Sequence, residues 1–192
     1  MVGNGHTEGH GRIYDNVTER IYHTKKDILT MNHTNRTIYI GLVVFFVSLL
    51  PLWDLLHPGF PITHDGQDHV ARIANFYQSL SEGNIVPRWA ANLNWGYGHP
   101  ILMFLYPLPS YIASLFHVIG FSFVDSTKLV FAVSYIASIA AMYVWISAAW
   151  GSLAAVTAAI LYGFAPYRFV DLYVRGAIGE HVAFIFPPLI CW

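Results

Sequence analysis

Apolar and polar positions along this chain fall into blocks, and several apolar blocks have the length of a membrane crossing. Residues 1–37 are polar. An apolar run then extends from Ile38 to about Leu56, long enough as a helix to cross a ~30 Å hydrocarbon core. Pro58, Gly59 and Pro61 break the chain beyond it. From His64 to Gly83 the pattern becomes amphipathic. Val70, Ile73, Ala74, Tyr77 and Leu80 recur at helical spacing, with Arg72, Asn75, Gln78 and Glu82 as polar partners. That spacing predicts a helix lying in the membrane interface, stopped at Gly83. The loop from Asn84 to His99 holds Pro87-Arg88-Trp89 and Trp95-Gly96-Tyr97-Gly98-His99-Pro100, aromatics suited to a membrane–water boundary.

Ile101 to Gly120 admits two readings. Its composition fits a span, but Pro107 and Pro109 remove backbone donors and break its early part. About a dozen residues, Ser110 to Phe121, remain as clean helix, which favours a re-entrant or interfacial piece. Lys128 to Ala149 predicts a full span, and Trp150-Gly151-Ser152 a tight turn. Leu153 to Ala165 is rich in small residues, as close helix packing in a bilayer requires. Pro166 follows, and a last span starts near His181. The predicted fold is all-α: a polytopic transmembrane helical bundle (38–192) with juxtamembrane or re-entrant helices in its first outer loop, preceded by a disordered cytoplasmic tail (1–37).

Composition sharpens this picture. The chain is 55% hydrophobic and only 11% charged, against about 25% charged in ordinary soluble domains. That shortage argues for a multi-pass protein of the cell membrane. A net charge of −1 gives no bulk attraction to nucleic acid. The single cysteine, Cys191, excludes a disulfide framework. No cleavable signal is visible, because the start is polar. The apolar run from His181 to Trp192 has no closing polar cap, which reads as the first part of a longer chain. In the tail, His6, His10, His23 and His33 are irregularly spaced and read as solvated. Asn16, Asn32 and Asn35 begin glycosylation acceptor patterns, but Lys25, Lys26 and Arg36 place the tail inside.

Two charged clusters interrupt the apolar pattern. The first is Thr63-His64-Asp65-Gly66-Gln67-Asp68-His69, just after the first span. The second runs from Tyr167-Arg168 through Asp171 and Arg175-Gly176 to Gly179-Glu180. Ionisable groups at a membrane are costly unless paired, hydrated or used. If 101–120 crosses fully, the clusters lie on opposite faces. If it only dips in, both face outward, and the prolines favour that solution.

Each cluster supports more than one chemistry. Asp65, Asp68 and Glu180 are oxygen ligands of the kind that suit Mg²⁺ or Mn²⁺. Asp65 is equally suited to act as a general base toward an acceptor hydroxyl. Helix capping is the bland alternative for Asp65, and first-turn dipole pairing for Asp68. His69 is placed to orient Asp65 or touch a ligand. The Arg175 guanidinium matches phosphate oxygens, and Glu180 either assists it or forms a loop-sealing ion pair with it. Arg88 is a candidate substrate contact, although beside Trp89 it also fits a snorkelling anchor.

Asp65 with His69, Gly83 through Pro87-Arg88-Trp89, Gly96-Tyr97-Gly98, Phe104-Leu105-Tyr106-Pro107-Leu108, and Pro166-Tyr167 leading to Arg175-Gly176-Ala177 and Glu180 together resemble the membrane proteins labelled 6-pyruvoyl-tetrahydropterin-synthase-related. The resemblance covers about Ile38 to Trp192 and implies no pterin chemistry. The layout is also similar to the C-type glycosyltransferase fold, whose first outer loop carries an aspartate where Asp65 stands, and whose second acidic cluster with arginine corresponds roughly to Arg175 and Glu180. The paired-acid spacing of that fold is absent here, which leaves metal dependence open. The resemblance implies a glycosyltransferase using a polyprenyl-phosphate-linked sugar on the extracytoplasmic face, with membrane lipids and the lipid-linked sugar as partners. Asp65 and Glu180 would be catalytic, and Arg175, His69 and Arg88 would bind substrate. A non-catalytic membrane protein, for lipid or glycolipid transport or as an assembly subunit, is the alternative.

Overall fold

The computed structural model describes Tyr39–Trp192. The polar tail, with its histidines, its acceptor patterns and its expected cytoplasmic placement, lies outside the described residues. Those residues divide into an N-terminal unit reaching Leu42 and a unit Val43–Trp192, and the packing below concerns the latter.

The described residues are helical and contain no strand; one isolated antiparallel bridge joins Ala90 and His99. Helix α1 covers Tyr39–Leu56, tightening to 3₁₀ geometry over Leu50–Leu56. Helices α2 (Gly66–Ser81) and α3 (Leu108–Ile119) follow, with a 3₁₀ turn Pro100–Met103 between them. Then come α4 (Phe123–Trp150), α5 (Ser152–Gly163) and α6 (Pro166–Phe169), which continues as a π-helical stretch Val170–Arg175. Two short helices, α7 (Ile178–Ala183) and α8 (Phe186–Cys191), end the chain. Two helices, α1 and α4, are long and apolar enough to cross a membrane. Helix α5 with Pro166–Arg175 passes the same test as a pair bent by 44°. Pro166 causes the bend, because it has no N–H for the preceding turn and restricts the residue before it.

Most expected helices are present with shifted edges, but the span expected from His181 is not. The 101–120 segment forms α3, only 12 residues long and short of a crossing. Its prolines start the helix instead of breaking it: Pro107 sits at the N-cap and Pro109 in the first turn, where a missing N–H costs nothing. Helix α4 begins five residues earlier than expected because Ser122 caps it, its Oγ accepting from Asp125 N at 3.0 Å. Gly83, at φ +94, closes α2 as expected. The run from His181 is two short helices, α7 and α8, broken before Pro187 and Pro188.

Helix α4 is the hub. Its buried Val130, Phe131, Tyr135 and Ile139 pack with Ile73 of α2, Ala113 of α3, Ala159 of α5 and Val182 of α7. The small residues of α5 permit the close approach: a Cβ on Gly163 would stand 2.6 Å from the Ile139 side chain. The Tyr135 hydroxyl donates to Gly163 O at 2.7 Å. Lys128 Nζ donates to His57 O at 3.0 Å and ties α4 to the chain beyond α1.

Candidate functional site

The two charged clusters meet. His64 N donates to Val174 O at 3.0 Å, and Asp65 N donates to Arg175 O at 2.9 Å. The chain after α1 thus lies along the end of the π-helical stretch, stitched by two backbone hydrogen bonds. Gly176 makes this approach possible. It adopts φ +68, and a Cβ there would lie 2.5 Å from Thr63 Oγ1 and 3.0 Å from Gly66 N. Gly179 plays a similar part against Tyr106, whose ring occupies the space a Cβ would take.

Asp65 stands at the N-terminal edge of α2 but does not cap it with its side chain. Thr63 Oγ1 does so, accepting from Gly66 N at 3.0 Å. Among the described residues, the exposed Asp65 carboxylate has no hydrogen bond or ion pair. The capping alternative therefore fails for Asp65, and its carboxylate is free to act on something else. Asp68 behaves differently: its carboxylate pairs with Arg72 at 3.2 Å, one helical turn on.

Arg175 faces a carboxylate squarely. Its Nη1 donates to Glu180 Oε2 at 2.7 Å and its Nη2 to Glu180 Oε1 at 2.6 Å. Tyr167 Oη donates to Glu180 Oε2 at 2.7 Å, and also accepts from Arg175 Nη1 at 2.6 Å. The Arg175 donors, and after them the Tyr167 hydroxyl, hold the Glu180 carboxyl at about 2, below its usual 4.5. A carboxylate so weakly basic orients Arg175 and is a poor proton acceptor. The pair is partly exposed, with Arg175 at 37% and Glu180 at 46% side-chain accessibility, so an incoming anion has access to the guanidinium.

His69 lies on the buried face of α2, and desolvation lowers it to about 4, with Arg72 adding to the effect. It is a neutral imidazole at physiological pH. Burial also raises the Tyr106 phenol above its usual range, and the charges of Arg72, Asp65 and Glu180 all reach it. Its ring fills the space beside Gly179, so Tyr106 borders the second cluster.

Behind this surface lies a buried polar group. Asp171, fully buried, directs Oδ1 toward Arg175 Nη1 at 3.5 Å and Oδ2 toward His181 Nδ1 at 3.3 Å. Its backbone carbonyl accepts from Gly176 N and Ala177 N. Arg168, also buried, donates to Ser138 Oγ at 2.9 Å and lies against the rings of Phe184 and Tyr135, at 4.2 and 4.9 Å from their centroids. Its Nε and Nη1 find no protein partner among the described residues.

Some expected site residues are not brought together. Among the described residues no group of three His, Cys, Asp or Glu side chains could hold a metal ion. Asp65, Asp68 and Glu180 do not form a ready-made Mg²⁺ or Mn²⁺ set, because Asp68 turns to Arg72 and Glu180 to Arg175. Arg88 is exposed on the loop and makes no ion pair among the described residues. Its neighbour Trp89 packs over Gly98 instead. The Asp171–His181 pair and the Tyr106–Gly179 contact escape the sequence pattern. The signals present are the i,i+4 spacing of Asp171 and Arg175 and a glycine at 179.

No family model matches the chain, and no solved structure matches it. An uncharacterized protein of Lactococcus lactis subsp. cremoris (strain MG1363) is 21% identical over 158 residues, which is 79% of this chain and 25% of that protein. The chain thus spans about a quarter of the length of that relative.

Proposed function

We propose that this chain is part of a polytopic membrane glycosyltransferase, of the 6-pyruvoyl-tetrahydropterin-synthase-related kind and built on a C-type glycosyltransferase layout. Its donor would be a polyprenyl-phosphate-linked sugar used on the extracytoplasmic face. One observation carries the reading: Asp65 and Arg175 are joined through their backbones, which brings the two charged clusters to one place at the edge of apolar helices. With α1, α4 and the bent α5–Arg175 pair crossing, and α2 and α3 lying at the interface, both clusters fall on one side.

The division of labour proposed here rests on residue chemistry. Asp65 takes the proton of the acceptor hydroxyl. Arg175 binds the donor's phosphate and stabilises the charge that develops as the sugar leaves. Glu180 and Tyr167 hold the Arg175 fork flat and oriented. The described residues do not by themselves form a cation cradle. The non-catalytic alternative, a lipid or glycolipid transporter or assembly subunit, draws support from the closed Arg175–Glu180 pair, which is complete without a ligand.

Asp65→Asn and Arg175→Lys in the full-length protein separate the readings. A transferase loses turnover of a polyprenyl-phosphate sugar by at least ~100-fold with Asp65→Asn, the scale of a lost general base, while donor binding survives. Retained turnover removes Asp65 from the mechanism. Donor binding without turnover in the unmodified protein selects the non-catalytic alternative.

A further inference from the structure

A polar cleft opens between α2 and the loop that leads to the 3₁₀ turn. Its volume is about 340 Å³ and its lining includes Asp68, Arg72, Asn94 and His99, with Leu93 and Ile101 as an apolar wall. That volume is at the small end of ligand-binding cavities. Asp68 and Arg72 stand on the first two turns of α2, directly after Asp65, which joins the cleft to the site.

The chemistry of the lining selects a ligand class. Asp68 and Arg72 neutralise one another at 3.2 Å, so the cleft offers no net charge to attract a phosphate or a cation. Asn94 adds an amide and His99 an imidazole, so donors and acceptors are mixed. The wall is preformed. Ala90 and His99 exchange two backbone hydrogen bonds at 2.9 Å, and Gly98 N donates to Leu93 O at 3.0 Å. Asn92 N donates to Asn75 Oδ1 at 2.8 Å and fastens the loop to α2. On this fastened loop Asn94 and Trp95 both hold left-handed conformations, at φ 56 and 60. Trp95 is left 93% exposed, with Tyr97 at 84%. A lining without net charge, of mixed hydrogen-bonding groups beside an aliphatic wall, matches a pyranose, which has hydroxyls at its edge and C–H groups on its faces; the exposed Trp95 follows the lining residue Asn94 directly in the chain.

We propose that this cleft is a saccharide-binding subsite that receives the acceptor sugar. The proposal rests on the transferase reading for the word acceptor, but the binding itself does not. Asp68 and Arg72 hydrogen-bond the ring hydroxyls, Asn94 and His99 read the opposite edge, and Trp95 covers a face.

The test is saturation-transfer NMR on the full-length protein in nanodiscs, with the methyl glycosides of glucose, galactose, mannose and N-acetylglucosamine as probes and no lipid-linked donor present. At least one glycoside receives saturation. Asp68→Asn and Trp95→Ala each weaken its binding at least tenfold, whereas Asp54→Asn, an exposed position outside the cleft and the site, leaves it unchanged. Absence of transfer to all four probes overturns the proposal, as does binding indifferent to both cleft variants. Quenching of Trp95 by brominated lipid that the bound glycoside does not relieve assigns the indole to the membrane interface and also overturns it. If glycoside binding meets these expectations but no lipid-linked sugar is turned over, the cleft stands and the transferase reading falls.

Discussion

Gly176→Ala tests the joint between the two clusters directly. Alanine in the left-handed region costs about 1–2 kcal/mol. Its Cβ would also press on Thr63 Oγ1 at 2.5 Å and on Gly66 N at 3.0 Å. The second atom is backbone at the start of α2 and cannot swing aside, so the overlap adds roughly 1–3 kcal/mol. Gly59 supplies the control. It has φ +83, and a Cβ there would meet nothing within 4 Å, so Gly59→Ala carries only the conformational cost. The expected difference between the two variants is roughly 1–3 kcal/mol, or several degrees in Tm for a unit of this size. Thermal unfolding in detergent, followed by tryptophan fluorescence, measures it. Adding Thr63→Ala removes the nearest atom and recovers part of the loss, so the double variant is non-additive. If Gly176→Ala matches Gly59→Ala, or if the Thr63 and Gly176 effects simply add, the two segments are not in contact and the joint described above is wrong.

Other outcomes follow from the same contacts. His69 has a folded-state pKa near 4 against 6.5, so the folded protein binds fewer protons there than the unfolded chain. Its contribution is full above pH 6.5 and is lost as pH falls through 4, at most ~3 kcal/mol by linkage; His69→Gln flattens the stability profile in that window, and an unchanged profile refutes the burial argument. Glu180 acts in the same direction below pH 4.5, but its exposure limits the effect to roughly 1 kcal/mol or less. Asp171→Asn disturbs the buried contacts to Arg175 Nη1 and His181 Nδ1 and costs roughly 1–3 kcal/mol, while the exposed Asp68→Asn costs ~0.5 kcal/mol; equal losses in a denaturation series contradict the assigned burial. Cysteines at positions 65 and 175, with Cys191→Ser, label from the same side of intact vesicles; labelling from opposite sides ends the shared-site reading.

The helical periodicity of Val70, Ile73, Tyr77 and Leu80 makes α2 legible, and the long apolar run of α4 makes it legible too. The two prolines near 108 point to a short α3, although locally they open the helix where a break is expected. Cluster membership is readable as charge in an apolar background. The assignment of partners is not, because pairing depends on where the chain returns after α5. Glu180 and Asp68 are equal candidates on residue type, and only the fold shows that one faces Arg175 and the other Arg72. Asp171 looks like one more loop acid, yet it is sealed behind Arg175 by the packing of α4 and α7.

The contact that unites residues 64–65 with 174–175 uses amides and carbonyls alone. Every amino acid except proline supplies those groups, so the side chains displayed at these four places are open to exchange without undoing the docking. Side-chain chemistry and architecture are thereby decoupled: different side chains can be displayed on an unchanged frame, provided that the glycine at 176 stays as it is.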